Sequence, residues 1–132
     1  MTAANYPIYI EQGATWTTTF IYALVATVDE EGVPISWDPV DISTAGIRMQ
    51  IRAAYGEDPL IDVSVGEGIT IDDGSEGKFT IVLSEDLTDS LEEIKRARYD
   101  VEIYDSTWTR NPVRRIFEGV VTISPNITRD DE

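Results

Sequence analysis

Neither cysteine nor histidine occurs anywhere in this 132-residue chain. The first absence excludes disulfides, thiolate nucleophiles and cysteine-ligated zinc. The second removes the commonest general base at neutral pH and the commonest transition-metal ligand. Bases are also scarce: ten Lys and Arg face twenty-five Asp and Glu, a formal charge of −15. A field of that sign repels phosphate backbones and anionic lipid, so no nucleic-acid or membrane partner is expected. No run approaches the roughly 20 apolar residues that span a bilayer. The first residues, Met1 to Gly13, lack the basic and apolar regions of a signal peptide, so synthesis in the cytoplasm is expected.

What is present is β-sheet chemistry. Val, Ile, Thr and Tyr outnumber strong helix formers over most of the length, and the size suits a single domain, expected over residues 1–128. Residues 129–132 read as an acidic, disordered tail. Tyr6 to Ile10 reads as an edge strand because Pro7 cannot donate to a ladder. Ala14 to Val25 reads as one long strand with Trp16, Thr18, Phe20, Tyr22 and Leu24 on its buried face. Asp29 to Thr44 is a polar, Pro-containing crossover that Trp37 and Val40 are expected to pin to the body. Ile47, Met49, Ile51 and Ala53 alternate with Arg48, Gln50 and Arg52. Shorter strands follow at Leu60 to Ser64 and Ile69 to Asp72, then Phe79, Ile81 and Leu83 give the next inward face.

Ser84 is a suitable N-cap, and Leu87, Leu91 and Ile94 make the apolar stripe of a short crossover helix ending in Lys95 and Arg96. Tyr99, Val101 and Ile103 then point inward, with Asp100, Glu102 and Tyr104 outward. Phe117, Val121 and Ile123 share the core face of the last strand with Gly119, whose missing side chain leaves room for Trp16. Seven to eight short strands with turns every 8–12 residues and one short helix predict an all-β, Ig-like antiparallel sandwich. Tyr99, opening a strand after a helical crossover, sits where such folds carry a tyrosine corner.

Several groups bear on function. Asp72 to Glu76 and Asp29 to Glu31 gather oxygens of the kind calcium takes, but neither matches an EF-hand loop, and a solvated turn explains both. No pair of acids is singled out as a glycosidase couple, and none sits in a context that raises its pKa. Catalytic residues, cofactors and metals are therefore not expected, and the chain reads as a non-enzyme. The bases Arg110, Arg114 and Arg115, with Lys95, Arg96 and Arg98, suit an acidic partner surface, another copy included, or ordinary surface ion pairs. Ile116 and Val120 alternate away from the core, Tyr104 is expected beside them, and Trp108 has no evident core position. The expected partner-binding set is thus Tyr104, Trp108, Arg110, Arg114, Ile116 and Val120. A calcium- or carbohydrate-binding module using Trp37, Trp108 and the Asp72–Glu76 loop is the alternative. Asn126-Ile127-Thr128 matches a glycosylation sequon, which without a leader reads as coincidence.

A set of short motifs, in order, carries a family resemblance. They are Gln12-Gly13-Ala14-Thr15, Val40-Asp41-Ile42, and Ala45-Gly46 leading into Ile47 to Arg52. There follow Gly68 to Ile71, Gly77 to Ile81, Leu83-Ser84, Tyr99 to Glu102, and Gly119 to Ile123 with Pro125 and Thr128-Arg129. The pattern resembles small Ig-like β-sandwich structural proteins of tailed-bacteriophage virions, in tails, baseplates and necks, including N-terminal domains of upper-baseplate proteins. The resemblance implies a non-enzymatic virion subunit acting by protein–protein contact, with other virion proteins and further copies as partners in a symmetric oligomer. Upper-baseplate proteins usually continue into a linker and a receptor-binding or trimerising region; the resemblance without that region implies a stand-alone virion subunit as the expectation.

Overall fold

The computed structural model describes residues 3–54, 56–91 and 96–125. The expected strand signals become eleven strands: β1 (Ala4–Asn5), β2 (Ile8–Glu11), β3 (Trp16–Ile21), β4 (Ala23–Val28), β5 (Pro34–Pro39), β6 (Gly46–Arg52), β7 (Ile61–Val65), β8 (Gly68–Asp73), β9 (Lys78–Leu83), β10 (Arg96–Tyr104) and β11 (Val113–Ser124). Among the described residues a short α-helix, α1 (Glu85–Asp89), follows β9, and a single 3-10 turn (Gly74–Glu76) precedes that strand. Ser84 caps α1 by accepting the Leu87 N–H at 3.3 Å. The helix is shorter than its apolar spacing predicts: Leu91 is buried, Ile94 and Lys95 lie outside the described residues, and Arg96 already begins β10. The sequon and the acidic tail also fall outside them.

Nine strands form one mixed sheet in the order β1-β11-β10-β6-β7-β8-β9-β3, with β2 also on β11. Most pairings are antiparallel, but β1 and β2 run parallel to β11, and β7 meets β8 through a short parallel contact. The sheet curls until its ends face one another. Phe20 of β3 stacks on Phe117 of β11 at 4.3 Å between ring centroids, and Tyr6 meets Phe20 edge-on at 5.4 Å. Two layers thus enclose one core, the Ig-like sandwich expected.

Alternation places the core well where both neighbours are regular strands. Ile47, Met49 and Ile51 of β6, Phe79, Ile81 and Leu83 of β9, and Val101 and Ile103 of β10 are completely buried. Three local expectations are overturned. Residues 14–25 are two strands, not one, because Tyr22 turns the chain out of the sheet while its N–H and C=O bond to Gly77 and Val40. Gly119 makes room for the main chain of Tyr6, not for Trp16: a Cβ there would lie 2.6 Å from the Tyr6 oxygen. The Tyr99 hydroxyl, finally, donates to the Tyr6 carbonyl, 93 positions away, and so makes no tyrosine corner.

Candidate functional site: an apolar hairpin and an arginine face

Residues 29–44, read from sequence as a polar crossover, contain β5, which among the described residues pairs only with β4, in a separate two-stranded sheet. The turn is built by Asp29, whose Oδ1 accepts the N–H groups of Glu31 and Val33, each at 2.9 Å. Gly32 completes it at φ +85°, a value that favours glycine. At its base the hairpin is gripped by three backbone bonds, Tyr22 N–H to Gly77 O, Val40 N–H to Tyr22 O and Ile42 N–H to Gly74 O, at 2.8–3.0 Å.

Between tip and base almost nothing is buried. Leu24, Val25, Val28, Val33, Ile35 and Trp37 are each 41–60% exposed, and Val25 sits directly opposite Trp37. Trp37 therefore does not pin this segment to the body, although Val40 does pack against the core. A hairpin of two strands is marginal by itself in water, and large apolar side chains grouped on such an element mark a contact surface. Period-two alternation could have revealed it at Val33, Ile35 and Trp37, but the two prolines and the acids obscured the pattern.

The expected partner-binding residues are not brought together. Ile116 is buried, a correction with a clear cause: Phe117 opposes Val101 while Arg115 opposes Glu102, so Ile116 is the extra residue of a β-bulge. The bulge turns Ile116 and Phe117 both toward the core. Trp108 also packs against the core, with the Arg114 guanidinium 4.0 Å above its ring centroid. Arg114 is consumed locally, donating to the Tyr22 hydroxyl and to the carbonyls of Asn111 and Arg110. Arg110 is exposed in the same loop. Tyr104 and Val120 do share the outer face, but Tyr104 opposes Val113 and Val120 opposes Arg98. Those points lie six residue steps apart along β10, roughly 20 Å of strand.

That outer face, on β6, β10 and β11, carries five of the ten bases: Arg48, Arg52, Arg96, Arg98 and Arg115. Arg48 pairs with Glu102 at 2.8 Å, and Arg115 lies 3.3 Å from Asp100 and 3.5 Å from Glu118. Burial pushes the Asp100 carboxyl above the usual carboxylate value, and Arg115 opposes that shift without cancelling it. This acid is the raised one that the sequence did not disclose. Asp100 and Glu118 line a depression of about 60 Å³ that Arg115 bridges. Arg52 and Arg98 oppose each other across β6 and β10; Arg52 donates to Gln50 and to the Glu57 carbonyl. The side chains of Arg96 and Arg98 make no hydrogen bond or ion pair with another described residue. Beside them Ala53, Ala54, Ala97 and Val120 line a groove of about 400 Å³.

The acidic loops are used internally. Asp72 accepts the Thr80 hydroxyl at 2.5 Å, and Asp73 accepts that of Ser75 at 2.9 Å. Among the described residues no group of three or more acids is gathered as a cation site. Trp37 and Trp108 stand on different elements, one exposed on β5 and one under Arg114. Among the described residues no helix is long and apolar enough to cross a membrane.

The sequence matches no protein-family model, and no curated protein is similar to it. Solved structures do match. One is a chain of a crystal structure of chicken TCR, with TM-score 0.51 and 16% identity over 94% of this chain and 55% of that one. The present chain thus spans about half of that neighbour, and the likeness shows an immunoglobulin-like β-sandwich and nothing further.

Proposed function

We propose that this chain is a non-enzymatic assembly subunit that works by protein–protein contact, in the tail, baseplate or neck of a tailed-phage virion. The carrying observation is the β4–β5 hairpin, which presents Leu24, Val25, Val28, Val33, Ile35 and Trp37 to solvent on an element outside the main sheet. Burial of such a strip against a partner would supply roughly 25 cal/mol per Å² of apolar area, offset by the entropy of association. The virion setting rests on the ordered sequence motifs alone.

The test is co-expression with the products of the genes flanking its own, followed by mass spectrometry of purified particles. A stoichiometric complex, lost in Trp37→Asp with the fold intact by circular dichroism, is expected, as is a fixed copy number per particle. A chain absent from particles, forming no such complex, would refute the proposal.

A further inference from the structure

Resting on the assembly reading, we propose that the hairpin of one copy docks on the arginine-rimmed groove of a second copy, head to tail. The two surfaces are complementary in charge and in polarity. Residues 23–39 contain four acids, Asp29, Glu30, Glu31 and Asp38, and no base. Asp29 is committed to its own turn, which leaves Glu30 and Glu31 exposed at the tip. In a chain of net charge −15, two copies repel unless acid meets one of the few basic sites. The groove is such a site. Arg98 lies opposite Arg52 in the β6–β10 register, and Arg52 is already held by Gln50 and the Glu57 carbonyl, so Arg96 and Arg98 are the bases that rim the groove. Arg96 and Arg98 hold no carboxylate among the described residues, and Ala53, Ala54 and Val120 offer apolar walls to the sides of the hairpin. Hairpin and groove are different patches, so the contact is heterologous and each copy keeps one of each. Such a contact closes into a ring or continues as a stack.

The absence of cysteine makes the test direct. Glu30→Cys and Arg98→Cys are made in separate full-length proteins, mixed, and oxidised. A disulfide joining one to the other is expected, formed faster than either same-site pair, and that preference is lost when the oxidation is carried out in denaturant. In parallel, sedimentation of the parent chain should show concentration-dependent self-association. Glu30→Arg with Glu31→Arg, or Arg96→Glu with Arg98→Glu, should weaken it about tenfold, and a mixture of the two variants should restore hetero-association. Same-site disulfides only, or no rescue on mixing, would overturn head-to-tail docking. A strictly monomeric chain whose hairpin still binds a co-expressed neighbour would overturn this inference and leave the assembly reading standing. A chain that binds neither copy nor neighbour would overturn both.

Discussion

The Tyr99 hydroxyl donates to the main-chain carbonyl of Tyr6 at 2.5 Å, and Gly119, opposite Tyr99 on β11, leaves the space that lets Tyr6 approach. One side chain and one missing side chain thus hold the amino-terminal strand to the sheet across the Pro7 break between β1 and β2. Tyr99→Phe is expected to cost about 1–2 kcal/mol, because the Tyr6 carbonyl loses its partner. Urea denaturation would report the loss, and hydrogen exchange at Ile8 and Ile10 would show whether it is concentrated in β2.

The same phenol gives an alkaline dependence. Burial raises its pKa above the ordinary 10.0, and the nearby Tyr6 and Glu118 add to the shift. The unfolded chain therefore loses the proton first, so stability is full below about pH 10 and falls as pH rises through that value. Stability measured from pH 8 to 11 should decline in the parent chain and decline less in Tyr99→Phe.

Asp105 makes the opposite prediction on the acid side. It is buried, accepts the Thr107 N–H and hydroxyl at 2.9 and 2.6 Å, and accepts the Thr44 hydroxyl at 2.7 Å. These bonds hold its carboxyl below the ordinary 3.8. Its contribution is present above that value and disappears as pH falls through the folded-state value. Asp105→Asn should be less stable than the parent at pH 7, with the difference shrinking below about pH 4 in thermal melts.

Gly77 sits at φ +69°, and a Cβ there would lie 2.3 Å from the Tyr22 oxygen that anchors the hairpin base. Gly56 has a similar φ of +81° but open space around it. Gly56→Ala should cost about 1 kcal/mol, the conformational penalty alone, and Gly77→Ala about 2–4 kcal/mol. Equal losses in chemical denaturation would show that the close approach does not govern this site.

Trp37 and Phe79 separate surface from core. Trp37, 55% exposed, should tolerate Ala within about 0.5 kcal/mol, whereas Phe79→Ala should cost about 3–5 kcal/mol. A collapse of stability in Trp37→Ala would remove the contact role given to the hairpin.

The sequence by itself determined the sandwich class and the inward faces of β6, β9 and β10. Period-two alternation is a property of one strand, so Ile47, Met49 and Ile51, or Phe79, Ile81 and Leu83, declare their side without reference to a neighbour. The cap at Ser84 was legible for the same local reason. Only the tertiary structure decided which apolar residues are surplus. Ile116 reads as outward until pairing with β10 inserts a bulge, and a one-residue offset moves a side chain to the other face. The sequence reading set Trp37 against the body and gave Trp108 no core position, yet Trp37 stands exposed on a two-stranded arm and Trp108 packs against the core under Arg114. Those outcomes depend on which strand lies alongside, a long-range pairing that no single segment encodes.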